Sequence, residues 1–286
     1  MSSVLFDLPG PRARRRHRIA AIVTVVALVA LLAAVVYRLA TQDQFTMQKW
    51  EPFVTPSIVE LLLRGLLDTL RAAFFAIVLA VVFGLFFGAA KLSQHRPLRW
   101  PAWLVVEFFR AVPLLMLIFV LYNVYGRTLG SFWCLVFGLT LYNGSVLAEV
   151  FRAGINAVPK GQAEAAYAMG MRKYQVMTLI LLPQAVKIML PAIVSQCIVV
   201  MKDTSLGYAI LTPGLMSVGR EIWRTFGNRL ATALVLAAIY IIVNAILSWL
   251  AAKLQRRLAG GGQVKIVAGQ VDAGDASPVG GVGNSG

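Results

Sequence analysis

Cysteine and histidine are nearly missing from this sequence, with two of each among 286 residues. Cys134 and Cys197 stand alone in separate apolar stretches, and His17 and His95 stand in basic flanks. Neither a disulfide framework nor a Cys/His metal motif follows from such a pattern. Charge is scarce too: 14% of residues are charged, where a soluble domain carries about a quarter. Acidic residues are the rarer sign, 12 Asp and Glu against 27 Lys and Arg. No G-x-x-x-x-G-K-[ST] loop occurs, so the chain lacks that nucleotide-phosphate cradle and is not expected to hydrolyse ATP by itself. The hydroxyls and carboxylates are scattered, and no catalytic constellation is recognisable among them.

What is abundant is apolar surface. Hydrophobic residues make up 59% of the chain and the mean hydropathy is +0.75, values that belong in a bilayer. The formal net charge of +15 would suit nucleic acid, but the basic residues flank apolar segments and do not interleave with aromatics. Such flanking charge is the mark of orientation in a membrane, positive side inward, and no nucleic-acid partner is expected.

Arg12, Arg14, Arg15, Arg16 and Arg18 precede an uncharged run at 19–37, close to the roughly 20 residues that cross a bilayer. The run is longer than a signal-peptide core of about 7–15 residues, so residues 1–18 read as a cytoplasmic basic terminus and 19–37 as an uncleaved first span. Residues 38–63 carry Pro52, Pro56 and mixed charges and suit an external loop, with a short amphipathic helix near 58–63. A second span at 69–90 repeats Ala80, Gly84 and Gly88 every four residues; such a stripe allows close helix contact in lipid, within the fold or with a partner. Lys91, His95, Arg96 and Arg99 return the chain to the inside. The third span, 102–125, holds Glu107 and Arg110 at ion-pair spacing and Pro113, expected to kink it. A turn at 126–130 leads to a fourth span ending near Glu149, whose polar members Asn143, Ser145 and Glu149 suit the bundle interior or a watery path. The fifth span, 184–201, is followed by Lys202, Asp203, Thr204 and Ser205. Lys202 and Asp203 either lie near the outer interface or pair with each other; as a substrate step, Lys202 would attract a carboxylate and Asp203 an ammonium. An external basic face at Arg220, Glu221, Arg224 and Arg229 precedes the sixth span at 230–252, and Lys253, Arg256 and Arg257 mark the inside again. The tail, 259–286, is Gly-rich and too poor in large apolar residues to bury a core, so it is expected to be disordered.

One polar interruption, residues 149–191, looks built. Pro159 opens a run of helix formers, Gln162 to Met169, that Gly170 breaks. Arg172 and Lys173 are expected at that helix's C-terminal end, and Pro183 breaks the next apolar run. Glu164-Ala165-Ala166, then Gly170, then Ile180, then Leu182-Pro183 resembles at every fixed position the signature loop of the transmembrane subunits of bacterial ABC importers. The stretches LPQAVKIMLPAIVSQCIVVMKDTSL at 182–206 and VEFFRAVPLLMLIF at 106–119 resemble the polar amino-acid uptake branch. The similarity covers roughly 64–258.

The resemblance implies an all-α integral membrane protein of six transmembrane helices, with the type I ABC importer domain at 64–258 and a cytoplasmic coupling helix. It implies that Glu164, Ala165, Ala166, Gly170, Ile180, Leu182 and Pro183 couple to a separate ATPase, which would hold the ATP and Mg; the chain itself would bind no cofactor and no metal. A second permease, identical or paralogous, an extracellular or periplasmic solute-binding protein and membrane lipid are the implied partners. Both termini would be cytoplasmic. Glu149, Gln196, Lys202, Asp203, Thr204 and Ser205 are the candidate substrate-pathway residues. Polar amino acids are the implied cargo, glutamate or aspartate preferred. The alternative, an ion-gradient-driven transporter or channel, would call for midplane ionisable residues or broken helices in matched halves, and no such repeat is evident.

Overall fold

Proline and glycine decide where the helices of this chain begin and stop. The structure, a computed structural model, describes residues 11–258; the expected disordered tail at 259–286 lies outside them. Helix α1 covers Pro11–Thr41, α2 Met47–Trp50, α3 Pro56–Lys91, α4 Arg96–Ala111 and α5 Leu114–Asn156. After α6 (Lys160–Ala168) and α7 (Lys173–Gln175) come a π-helical segment at Val176–Leu181, then α8 (Leu182–Asp203), a 3-10 segment at Thr204–Ile210, α9 (Leu215–Phe226) and α10 (Arg229–Leu258).

Among the described residues five helical stretches are long and apolar enough to cross a membrane, against six expected spans. The difference lies in α5, whose 43 residues would reach about 65 Å if straight, twice a hydrocarbon core of about 30 Å. Gly130 breaks it with φ 74 and ψ 164, a backbone state open to glycine at little cost. The arms at 114–129 and 131–156 fold back on each other: Cys134 Sγ donates to the Leu121 carbonyl at 3.6 Å, and Gly138 packs against Ile118. The expected five-residue turn at 126–130 is thus a single residue, and six legs result.

Pro113 ends a helix where a kink was expected. It forces the preceding residue out of the α region, and Val112 is extended at φ −76 and ψ 129. The expected third span therefore splits into α4 and the first arm of α5. At the other boundary α3 starts at Pro56, in its first turn, so the separate amphipathic helix near 58–63 gives way to one continuous 36-residue helix. Gly65 does not interrupt it, because its missing side chain admits Val218 and the Leu215 backbone of α9.

The core lies between α3 and the second arm of α5. Ala72, Ala76 and Ala80 are fully buried, and Gly84 and Gly88 bring α3 against Leu147, Phe151 and the carbonyls of Gly144 and Ala148. The small-residue stripe serves the fold of this chain: in lipid, close van der Waals packing supplies the association that the hydrophobic effect supplies in water. A second cluster, Val158, Ala185 and Met189 with Leu147 and Phe151, seats α8 against the same helix. Helix α1 buries none of its apolar span, so it meets the surroundings on every side.

Candidate functional site

Helix α6 carries Glu164, Ala165 and Ala166 of the signature, and its end is fixed by a Schellman turn. Gly170 N–H donates to the Tyr167 carbonyl at 2.9 Å and Met171 N–H to the Ala166 carbonyl at 3.2 Å, with Gly170 at φ 78. An added Cβ at Gly170 would meet nothing within 4 Å, so glycine is required there by conformation. Ala166 is buried while Glu164, Ala165, Tyr167 and Met169 are exposed, giving the short helix one anchored face and one free face. Gln184 ties it to α8, donating to Gln162 Oε1 at 3.5 Å and to the Ile180 carbonyl at 3.0 Å. Ile180 lies in the π-helical segment, and Leu182 and Pro183 form the first turn of α8. Pro183 therefore starts a helix; its missing N–H is harmless at that position. Arg172 and Lys173, expected at the C-terminus of α6, instead begin α7, where the Arg172 N–H donates to Gln175 Oε1 at 2.8 Å. The Gly170 turn has already closed α6 before them.

Behind this segment sits an ion-pair cluster whose links between helices, made by Lys91, no local spacing reveals. Lys91, the last residue of α3, pairs with Glu149 of α5 and with Glu107 of α4 at 3.4 Å. Arg152 holds the other Glu149 oxygen at 2.8 Å, and Arg110 pairs with Glu107 at 3.3 Å as its spacing predicted. Glu149 is thus engaged by two cations near the α6 end of α5 and is not brought together with the other candidate pathway residues. Beyond the Glu107–Arg110 spacing, the sequence signal for the cluster is the intramembrane rarity of its acids.

Three of the remaining candidates divide between two faces of α8. Gln196 donates to Asn143 Oδ1 at 2.6 Å, and Asn143 donates to Asp203 Oδ2 at 3.5 Å, linking α5 to α8 through a fully buried asparagine. Asp203 does not pair with Lys202, because successive helical residues point in different directions. Lys202 and Ser205 instead line an open groove of about 660 Å³ between α8 and α10, with Tyr240, Asn244 and Ser248 on the opposite wall. Lys202 is exposed and makes no ion pair among the described residues. Asn244 Oδ1 is buried without a hydrogen-bond partner, a polar group of this groove that sequence reasoning missed. Thr204 is turned inward, its hydroxyl donating to the Met201 carbonyl at 2.7 Å. Among the described residues no group of three or more His, Cys, Asp or Glu could hold a metal ion.

At the far end from α6, α9 packs on the start of α3, where Leu215 N–H donates to Thr69 Oγ1 at 2.9 Å. Glu221, Arg224 and Arg229 are exposed there. Arg220, expected in the same solvated face, is half-buried with its guanidinium 5.3 Å from the Tyr208 ring centre, an arrangement that satisfies the charge locally.

Known proteins share this architecture. Residues 80–260 match the family model of the binding-protein-dependent transport system inner membrane component. The glutamate transport system permease protein GluD of Corynebacterium glutamicum is 40% identical over 240 residues, 82% of this chain and 88% of that protein. The glutamate/aspartate import permease protein GltK of Escherichia coli is 31% identical, over 72% of this chain and 96% of its own, and the arginine transport system permease protein ArtQ of Bacillus subtilis is 30% identical over 70% and 93%. A crystal structure of an amino acid ABC transporter with histidines contains a chain 31% identical to this one, with a TM-score of 0.66 over 70% of this chain and 94% of that one. The six-legged bundle, the Schellman-capped loop helix and these matches agree: the chain belongs to the family of binding-protein-dependent transport system inner membrane components, with polar amino-acid ABC permeases as its relatives.

Proposed function

We propose that this chain supplies half of an import pathway for polar amino acids in the bacterial cytoplasmic membrane, with both termini inside, moved by a separate ATPase that holds the ATP and Mg and seats the free face of α6. The observation that supports this most directly is the Gly170 turn. It holds a short helix out from the bundle with Ala165, Tyr167 and Glu164 exposed, while Gln162 and Gln184 link it to α8. A rigid handle of this kind passes a push to α8 and the groove behind it, which carries Lys202 and Ser205.

A second permease, identical or paralogous, closes the open side of the groove in this reading, and a solute-binding protein delivers cargo at the α9 end. An acidic amino acid is the favoured cargo: the relatives GluD and GltK are glutamate and glutamate/aspartate permeases by name, and Lys202, without an ion-pair partner among the described residues, offers a cation in the groove. Gln196 and Asp203 shape the wall from behind, Thr204 holds the helix end, and Glu149 acts as a hinge anchor instead of a cargo contact. ATP-dependent glutamate uptake into proteoliposomes carrying the full complex tests the reading. Uptake should require ATP and the partner ATPase; uptake driven by an ion gradient without the ATPase would overturn it.

A further inference from the structure

Helix α4 does not run back along α3. Lys91 closes α3, yet its side chain reaches Glu107, about three turns into α4, so α4 crosses the end of α3 near the junction with α5. It buries Ala102 and Val106 and leaves Arg96, Trp100, Leu104 and Phe108 exposed along one face. A basic turn, then indoles, then an exposed aliphatic and aromatic strip suits a helix lying in a membrane interface, with tryptophan at headgroup depth.

Beside this face is a cleft of about 410 Å³ lined by Lys91, Arg99, Trp100, Trp103, Glu107 and Arg152. The Trp100 and Trp103 rings meet edge to face with centres 6.3 Å apart and form its apolar wall. Its two nearest acids, Glu107 and Glu149, are already taken by Lys91, Arg110 and Arg152. Arg99 has no ion-pair partner among the described residues, so the cleft keeps an excess of positive charge open to an anion.

We infer that this cleft binds the phosphate of an anionic phospholipid from the inner leaflet, Arg99 and Arg152 facing the headgroup and Trp100, Leu104 and Phe108 lying against the acyl chains. The leaflet follows from the orientation proposed above, in which the α6 end faces the cytoplasm, the side richer in anionic lipid. The cationic rim sits on the apolar stripe, so a lipid fits both halves of the site where a free phosphate fits one. Because Lys91 and Arg152 also hold Glu149, an occupied cleft sets the balance of the ion pairs at the base of the α6 segment.

Native mass spectrometry of the delipidated full-length chain in detergent tests the site without depending on membrane orientation or on uptake, so its failure is separate from failure of the import reading. Titration with dioleoyl-phosphatidylglycerol should give tighter binding than titration with dioleoyl-phosphatidylcholine. Arg99→Glu should weaken the phosphatidylglycerol affinity by about thirty-fold, from roughly one charge contribution lost and one added, and weaken that of phosphatidylcholine, whose choline offsets its phosphate, far less; Arg99→Lys should retain selectivity. Arg99 is exposed, so an unchanged unfolding temperature is expected and shows that the variant is folded. Equal retention of the two lipids, or indifference to Arg99→Glu, would overturn the site. Full displacement of the lipid by millimolar inorganic phosphate would overturn the lipid assignment in favour of a soluble anion.

Discussion

Lys91 and Glu149 form an ion pair across α3 and α5 in which the lysine side chain is only 5% exposed and the glutamate side chain 18%. Removing one partner of a buried pair leaves the other charge uncompensated, at a cost of about 3–5 kcal/mol. Here Arg152 still holds Glu149, so Lys91→Met is expected at the low end, about 3 kcal/mol. Combining it with Glu149→Gln removes the orphaned charge as well, and the double variant should be more stable than the two single losses added together. Thermal unfolding of the four proteins in detergent gives the coupling directly; additive losses would show that the pair is not a unit.

Gly170 closes the C-terminal end of α6. Its Cβ site is empty but its φ is 78, and a left-handed alanine costs roughly 1–2 kcal/mol. Gly170→Ala should therefore loosen the end of α6 without touching the core. The expected result is lowered ATP-driven uptake and weakened coupling of ATP hydrolysis to transport, with the unfolding temperature lowered by only a few degrees. Asparagine tolerates this conformation better, so Gly170→Asn should fall between alanine and wild type. Gly84→Ala is the contrasting case: its Cβ would come 2.7 Å from Leu147 Cβ and 3.1 Å from the Gly144 carbonyl, and overpacking of about 1–3 kcal/mol should lower stability itself.

These two glycines also mark what sequence could convey. Spans announce themselves by length and apolarity, and the Ala80–Gly84–Gly88 repeat by its period, so the bundle and its stripe were legible, as was a turn at Gly170. Pro113 was misjudged because its effect depends on Val112: the same residue kinks a helix or ends it according to whether the preceding backbone can stay helical. The break in α5 is visible in the sequence as two glycines, Gly126 and Gly130, but only the backbone, with Gly130 at φ 74 and ψ 164, selects the second as the break. Lys91 with Glu149, and Arg220 with Tyr208, are pairings across separate elements, and no local period encodes them. Glu149 is expected on the pathway from its residue type alone, and its pairing with Lys91 and Arg152 is what the sequence does not convey.

Asn143 is the shared partner of Gln196 and Asp203. Asn143→Leu would strand both, and an unsatisfied buried polar group costs about 1–3 kcal/mol. The unfolding temperature should fall, and adding Gln196→Leu to Asn143→Leu should lower it by less than Gln196→Leu does alone, since one orphan is removed. Equal decrements would indicate that the amides are independent.

Arg224 is exposed on α9, at the end opposite α6. If this face meets an acidic surface of a solute-binding protein, charge reversal acts on encounter and is screened by salt over about 8–10 Å. Arg224→Glu should slow binding-protein-dependent uptake several-fold at low ionic strength and progressively less as salt rises. Uptake unchanged at every salt concentration would leave Arg224 as solvated surface.

Lys202 bears on the cargo itself. It is exposed to the groove and unpaired among the described residues, so Lys202→Gln leaves no partner stranded and the unfolding temperature should hold. A unit charge at about 4 Å is worth roughly 1 kcal/mol in water and 4 kcal/mol in a medium of effective dielectric 20, so glutamate uptake should fall at least about fivefold. Glutamine uptake, if measurable, should change little, because its side-chain amide gains nothing from the ammonium. The decisive quantity is the ratio of the two rates in reconstituted vesicles: a parallel fall would mean that Lys202 supports the moving helix, and a selective fall that it faces the anionic side chain of the cargo.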